Sequence, residues 1–343
     1  MKKVVIDENI QYLHGVLEPW FDVVYEKGIT IGPESVKDAS ALIVRTRTRC
    51  DGSLLSGSSV EFIATATIGF DHIDTAYCDD HGISYTNAAG SNARGVMEYV
   101  ASALVHLSRM DGWKPEDKTV GIVGVGNVGS LVKWLCESLG FTVVCCDPPK
   151  QTENPSLGYL PLGELLKQAD IVTCHVPLNR IGEYRTIGMV DSFFLSHLKP
   201  GAVFINSSRG EIVDEYALHE RILSGRLSRT IIDVWQNEPN IDPELRDMVT
   251  LATPHIAGYS LQGKANASAM SVQALGRYFG LPLTHWYPPE APQQVTDKAV
   301  TWEYLIKTID DYFDISRQTD IFRSGKVGFE DFRNNYACHL EYF

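Results

Sequence analysis

Arg209, Glu238 and His255 each stand shortly after an apolar, strand-like run of the sequence. In open α/β sheets, groups just beyond the carboxyl ends of the strands gather where ligands bind. A histidine there can take the proton of a hydroxyl group, and a neighbouring carboxylate orients the imidazole and favours its protonated form. An arginine can hold a carboxylate. The residue types therefore predict oxidation of a small 2-hydroxy acid, with His255 as base, Arg209 as carboxylate holder and Glu238 as partner of His255.

Each of these residues alone is a weak indication of a catalytic site. A single arginine after a strand is usually a surface cation, a single histidine is often structural, and a Glu-Pro pair is often only a loop. Their common position at one predicted sheet edge, together with a nucleotide motif in the same sheet, favours the catalytic interpretation.

The nucleotide motif is the run Gly-Val-Gly-Asn-Val-Gly at 124–129, which matches GxGxxG and follows an apolar strand at 120–123. In such a turn Gly124 allows the tight bend, Gly126 lets the backbone approach a pyrophosphate, and Gly129 lets helix and strand pack closely. The following helix offers free N–H groups to the diphosphate. The context predicts a dinucleotide site.

Asp147 ends the next strand, eighteen residues after Gly129. A carboxylate at this position accepts hydrogen bonds from the adenosine ribose and repels a 2′-phosphate. NAD is therefore predicted in preference to NADP, although Lys150 is close enough in sequence to bear on that choice.

The elements that must position these residues alternate between β-branched runs and helical stretches, which predicts two doubly wound parallel sheets in an α/β fold. The first sheet is expected to contain strands at 3–6, 41–44 and 62–65, with a helix at 9–17. Long helices are expected at 90–110 and 261–279. The second sheet is expected to contain strands at 119–123, 142–146, 171–174, 202–207, 230–234 and 249–252.

This pattern predicts a substrate-binding domain, 1–92 with 259–285, and an NAD-binding domain, 93–258, inserted in it, with a cleft at their junction that closes over the substrate. The remaining segment, 286–343, begins with prolines and continues with an aromatic, charged stretch. Its amphipathic helix from Trp302 is expected to pack on a partner subunit.

Composition limits the possible partners. Acidic residues number 43 against 30 basic ones, a net charge of −13, which argues against nucleic acid or an anionic membrane. No signal-type apolar segment follows the first lysines and no run is long enough to span a bilayer, so a cytoplasmic protein is predicted. Seven cysteines without CxxC pairs indicate buried thiols, with neither a metal site nor a disulfide framework.

Three arginines alternate with threonines at the end of the strand at 41–44, in the run Arg45-Thr46-Arg47-Thr48-Arg49. On an acidic protein this cluster would form a local cationic site suited to a phosphate group. The hypothesis is that Arg45 or Arg47 holds a substrate phosphate, helped by Thr46 and Lys264. Solvent-facing charge is an equally good interpretation of any single arginine.

The sequence resembles the D-2-hydroxyacid dehydrogenase family in four motifs, at 121–129, 205–214 (INSSRGEIVD), 233–239 (DVWQNEP) and 253–258 (TPHIAG). The similarity covers residues 1–285 and is strongest with a subgroup that acts on a phosphorylated sugar acid. That subgroup forms homodimers through its C-terminal tail, which is longer than the one present in this chain. The resemblance therefore implies an NAD-dependent enzyme, a phosphorylated 2-hydroxy acid as substrate, and a homodimer.

The resemblance also implies site residues position by position, and it places the catalytic group on Arg209, Glu238 and His255. Val176 stands where a hydroxyl residue is common, and Thr46 where a serine is expected. Substrate contacts are implied at Thr46, Thr67 and Tyr259. NAD contacts are implied at Asn127, Val128, Asp147, Val176, Ser207, Ser208, Asp233 and Gly258.

Two alternatives remain open at this point. One is another enzyme of the same family, of the phosphoglycerate, D-lactate or glyoxylate type. The other is a non-enzymatic NAD-sensing protein, because a fold does not dictate function. The complete set of arginine, glutamate and histidine disfavours the second.

Overall fold

The computed structural model describes residues 1–293, 295 and 300–343. Two compact units are present, Met1–Asn92 with Ser260–Gln294, and Ala93–Tyr259 with Val295–Phe343. Of the tail from residue 286, the part from Val295 onward groups with the second unit. Residues 294 and 296–299 of that tail lie outside the described residues.

The described part of the first unit holds a five-stranded parallel sheet in the order β2-β1-β3-β4-β5. Its strands are β1 (Lys2–Asp7), β2 (Phe21–Glu26), β3 (Ala39–Val44), β4 (Phe62–Thr65) and β5 (Ser84–Asn87). Its helices are α1 (Pro33–Val36), α2 (Gly52–Leu55), α3 (Thr75–Asp80) and α11 (Leu261–Phe279). The central strands β3 and β4 are buried almost throughout, as expected of parallel strands covered on both faces.

The helix predicted at 9–17 is wrong, because this stretch forms turns. Tyr12 and Gly15 adopt positive φ angles of 67° and 80°, which interrupt a right-handed helix. The apolar side chains that suggested a helix, Leu13 and Leu17, are nevertheless fully buried against the sheet. Strands β2 and β5 lie at the two edges of the sheet and are only partly buried, so they lack the continuous apolar run that marked the central strands.

The described part of the second unit holds a six-stranded parallel sheet in the order β11-β10-β9-β8-β6-β7. Its strands are β6 (Thr119–Val123), β7 (Thr142–Cys146), β8 (Ile171–Cys174), β9 (Ala202–Asn206), β10 (Leu227–Ile232) and β11 (Leu251–Ala252). Its helices before the tail are α4 (Ala93–Asp111), α5 (Asn127–Ser138), α6 (Pro148–Glu153), α7 (Leu162–Gln168), α8 (Ser192–His197), α9 (Glu215–Leu223) and α10 (Pro243–Met248). The prediction of doubly wound parallel sheets is confirmed.

The tail forms three helices in its described part, α12 (Trp302–Tyr312), α13 (Ile315–Arg323) and α14 (Phe329–Asn335). We expected the apolar face of α12 to pack on a partner subunit. In the structure it packs against residues of its own chain. Trp302 stacks on Trp113 with ring centres 6.0 Å apart and meets Phe141 edge-on. The tail therefore extends the core of the second unit.

Helix α13 covers the edge strand β11. The Thr319 hydroxyl accepts a hydrogen bond of 3.2 Å from the Ala252 backbone N–H, and Arg323 donates to the carbonyl groups of Val249 and Thr250. These contacts fix the position of the tail on the sheet. None of the helices in the described residues combines the length and apolar character that crossing a bilayer requires.

Candidate active site

The glycine turn between β6 and α5 has the geometry of a nucleotide-binding loop. Gly124 has a φ angle of 87°, and a Cβ there would lie 2.8 Å from the His175 carbonyl oxygen. A Cβ on Gly129 would lie 2.0 Å from the Gly124 carbonyl oxygen, so helix and turn pack at a distance that only glycine permits. A Cβ on Gly126 would meet nothing within 4 Å. The open space at Gly126, where α5 begins, is the approach that a pyrophosphate needs.

Asp147 lies at the end of β7, beside this turn. Its Oδ2 accepts a hydrogen bond of 2.8 Å from the Val125 N–H, and its Oδ1 accepts one of 3.1 Å from the Lys150 N–H. The Lys150 ammonium group donates to the Val125 carbonyl oxygen. Asp147 therefore holds the turn in shape and presents a carboxylate at the position where an adenosine ribose is bound in such folds.

Two further predicted NAD residues fit a bound dinucleotide. The Ser207 hydroxyl is buried and has no hydrogen-bond partner among the residues that the structure describes, so a ligand could satisfy it. Val176 lies against the turn, with its Cγ1 2.8 Å from a Cβ built on Gly124. This supports a packing contact at Val176, because its side chain has no hydroxyl group. The Ser208 hydroxyl is already engaged by Asn206 at 2.8 Å.

Glycine substitutions should separate folding from nucleotide binding. Because Gly126 has a negative φ of −77° and open space around it, Gly126→Ala should fold normally and raise the NAD dissociation constant about tenfold by obstructing the pyrophosphate. Gly129→Ala should instead lower the melting temperature, since its methyl group has no room. Calorimetric titration with NAD and thermal unfolding measure the two effects. Unchanged NAD affinity in Gly126→Ala would count against the assigned cofactor position.

The central pair of the site is His255 and Glu238. The Nδ1 atom of His255 lies 2.7 Å from Glu238 Oε2, and the Trp235 backbone N–H donates to Glu238 Oε1 at 2.9 Å. Burial favours the neutral form of Glu238, but the charge and hydrogen bond of His255, the Trp235 N–H and the charge of Arg333 outweigh it and lower the pKa of the carboxyl below its usual 4.5. The carboxylate is therefore ionised at neutral pH and orients the imidazole.

Asp233 fixes the backbone that carries His255. Its carboxylate accepts hydrogen bonds from the Ile256 N–H at 2.8 Å, the Ala257 N–H at 3.0 Å and the Thr253 hydroxyl at 2.6 Å. Burial is the main cause of the raised pKa of Asp233. This residue was predicted as an NAD contact, and the contacts observed for it are with the loop at 253–257.

Arg209 follows β9, and its backbone approaches the loop that carries Glu238. The adjacent Gly210 packs so tightly that a Cβ on it would lie 2.0 Å from the Trp235 carbonyl group. Glycine at this point lets the loop after β9 lie directly on the loop after β10. The Arg209 guanidinium also donates to the Ser208 carbonyl oxygen at 2.8 Å. The structure therefore brings the loops of Arg209, Glu238 and His255 together at the carboxyl ends of β9, β10 and β11.

The predicted substrate residues of the first unit lie at the ends of β3 and β4. Arg45 donates from Nε to Asp7 at 2.9 Å, and Asp7 is fully buried, whereas Thr46 and Arg47 are exposed. Arg49 is paired with Asp51 at 2.6 Å. Asp7 was not predicted as a site residue, although its place at the end of β1 is the kind of position that marked the others.

Thr67 belongs to a small hydrogen-bonded group. Its hydroxyl lies 2.7 Å from the Thr65 hydroxyl and donates to the Gly69 carbonyl oxygen at 2.9 Å. Thr65 in turn lies 3.0 Å from His72 Nε2. Burial lowers the pKa of His72 to about 4, so this imidazole is neutral at physiological pH. The group fixes the orientation of Thr67.

Comparison with known proteins identifies the class. Residues 88–257 match the family model described as D-isomer specific 2-hydroxyacid dehydrogenase, NAD binding domain. The solved structure of D-lactate dehydrogenase from Aquifex aeolicus, complexed with NAD and lactic acid, shares the fold with a TM-score of 0.68 and 24% identity, over 81% of this chain and 96% of that one. The chain belongs to the D-isomer-specific 2-hydroxyacid dehydrogenase family and is an NAD-dependent oxidoreductase.

Some relatives align with this chain along nearly its whole length. An erythronate-4-phosphate dehydrogenase from Bacteroides fragilis is 46% identical over 340 residues, which is 99% of this chain and 97% of that protein. The enzyme of the same name from Bacteroides thetaiotaomicron is 41% identical over 341 residues, with 99% and 97% covered. The similarity extends through the tail.

Proposed function

We propose that the protein oxidises erythronate 4-phosphate at C2, giving 3-hydroxy-2-oxo-4-phosphooxybutanoate, as a step of pyridoxal 5′-phosphate biosynthesis. The observation that carries this proposal is the 46% identity, along nearly the whole chain, to a relative named for that substrate. The first unit would bind the substrate and the second would bind NAD. A homodimer in the cytoplasm is proposed with it.

The residues of the second unit account for the chemistry. NAD, when bound, accepts the hydride from C2. His255 takes the proton of the C2 hydroxyl at Nε2, and Glu238 holds the opposite ring nitrogen and stabilises the resulting imidazolium. Arg209 binds the substrate carboxylate and polarises the C2 oxygen. The C2–H and O–H bonds break and a C=O bond forms, so the products are a 2-oxo acid, NADH and a proton on His255.

The phosphate group is assigned to the strand ends of the first unit. Arg45 or Arg47 would hold it, with Thr46, Thr67 and Lys264 as helpers. Tyr259 remains a predicted substrate contact. The buried Asp7 supports this role for Arg45, because their ion pair limits the side chain to one arrangement. Arg47 is an exposed residue and the second arginine of the same run.

A substrate panel tests the proposed function. NADH formation is followed with erythronate 4-phosphate, 3-phosphoglycerate and D-lactate on the purified protein, and kcat/KM should favour erythronate 4-phosphate by about 100-fold or more. A preference for 3-phosphoglycerate or D-lactate would assign another activity of the same family. NAD binding without turnover on any of the three would instead support an NAD-sensing protein.

Arginine substitutions test the phosphate site. Arg47→Ala should raise the KM for erythronate 4-phosphate about tenfold, because a charged hydrogen bond is lost. Arg45→Ala is combined with Asp7→Asn, since the single change would leave a buried carboxylate without its partner. Arg49→Ala is the matched control, because Arg49 is held by Asp51. An unchanged KM in both the Arg47 and the Arg45 variants would contradict the assigned phosphate site.

A further inference from the structure

An arginine of the C-terminal tail lies beside the candidate active site of its own chain. The guanidinium carbon of Arg333, in α14, is 5.8 Å from the centre of the Tyr259 ring, and the guanidinium hydrogen-bonds that residue. Its Nη1 is 3.6 Å from Glu330 Oε1, and the side chain is only 20% exposed. An arginine this enclosed is held by specific partners rather than by solvent.

Aromatic packing fixes this part of the tail against the catalytic loops. The ring centre of Phe322 in α13 lies 6.2 Å from that of Trp235 and 6.1 Å from that of Phe332 in α14. Trp235 is the residue whose backbone N–H donates to Glu238. Tyr336, just after α14, lies 6.2 Å from Tyr259. These ring contacts join α13 and the end of α14 to Trp235 and Tyr259. The fold of the second unit therefore sets the position of α14 and of Arg333.

The charge of Arg333 acts on Glu238. Burial lowers the pKa of an arginine, but Tyr259, Glu238 and Glu330 more than offset burial and raise the pKa of Arg333 above its ordinary value. The same interaction contributes to the lowered pKa of Glu238. The guanidinium therefore remains charged and opposes part of the negative charge that Glu238 presents to His255.

We propose that Arg333 is a positioning residue of this dehydrogenase, holding Tyr259 through its guanidinium group and balancing the charge of the Glu238–His255 pair. The tail then completes the active site of its own chain, in addition to any role in assembly. This inference rests on the proposed function, in which Glu238 and His255 perform the proton transfer.

Replacing Arg333 should shift the titration of His255 in one direction. Without Arg333, Glu238 presents a less compensated negative charge to the imidazole of His255. This change favours protonated His255, so its titration moves to higher pH. Loss of the Glu238 charge would move it to lower pH. The titratable groups that face this pair and Arg333 are Glu215, Asp233, Tyr259 and Glu330.

The test measures the His255 titration by NMR in the full-length protein, with the signal assigned by its disappearance in His255→Gln. Arg333→Gln should raise the midpoint of the His255 titration by roughly half a pH unit. Arg333→Lys keeps the positive charge, so its midpoint should equal that of the unsubstituted protein. Arg333→Lys should still raise the KM, because a single ammonium group cannot reproduce the contacts that the guanidinium makes with both Tyr259 and Glu330. Arg317→Gln, on an exposed position of α13, is the matched control.

Thermal unfolding shows whether each variant is folded. Arg333→Met, a long apolar side chain without charge, replaces Arg333→Gln if that protein does not fold. An unmoved midpoint in a folded variant, or a shift to lower pH, would overturn the proposal and leave Arg333 a packing role. The NMR titration needs no substrate, so it is read even if no acid of the panel is oxidised. Failure of the proposed function and failure of this inference are therefore distinguishable.

Discussion

His255→Gln should lower kcat for the oxidised 2-hydroxy acid by a factor of about 10² to 10⁴, the contribution expected of a well-placed general base. The glutamine side chain can still accept or donate a hydrogen bond, but it cannot take up the hydroxyl proton. NAD binding should change little, because the glycine turn and Asp147 follow other strands, β6 and β7. Stopped-flow measurement of NADH formation gives the chemical step.

His285→Gln is the control for this substitution, because His285 is exposed and its loop carries none of the predicted catalytic residues. It should retain full activity. A His255→Gln protein that is folded, binds NAD and keeps a rate within about threefold of the original would remove His255 from the role of general base.

Glu238→Gln should lower kcat by roughly tenfold to hundredfold, because both groups that face the carboxylate are hydrogen-bond donors and an amide can accept well from only one of them. It should also change the pH profile. In the reductive direction His255 must carry the proton, so the rate falls at high pH. Loss of the carboxylate should move this basic limb about one to two pH units lower.

The sign of that shift follows from the ionisation of Glu238. Its pKa is lowered below 4.5, so the carboxylate is charged throughout the usual assay range and does not itself produce the limb. In the oxidative direction the acidic limb should move the same way, since neutral His255 is then required. An unshifted profile in Glu238→Gln, measured in both directions, would show that Glu238 does not tune His255.

Much of this architecture was predictable because parallel strands buried on both faces leave continuous apolar runs in the sequence. Strand β6, the glycine turn and α5 were located this way, and α11 has the bounds predicted for it. Strands β2 (FDVVYE) and β5 (SYTN) were missed, because charged or polar residues interrupt their apolar runs. The stretch at 9–17 was misassigned because its apolar spacing fits a helix as well as the buried turns that it forms.

The loops of the candidate active site were predictable for a different reason. Strand ends meet at one edge of a parallel sheet, so Arg209, Glu238 and His255 could be grouped without knowing any long-range contact. Arg333 could not be found in this way. It reaches the site through ring packing between distant parts of the chain, and its local sequence is that of an ordinary amphipathic helix.

The contact between α13 and β11 has a consequence for solubility. Strand β11 is the outermost strand of its sheet, and an uncovered strand edge is a template for pairing with other chains. Thr319 and Arg323 meet the backbone groups along β11 and the residues before it, so the tail occupies the place where a further strand would add. Removing the tail would expose the backbone groups of this strand edge, and we expect the truncated protein to aggregate.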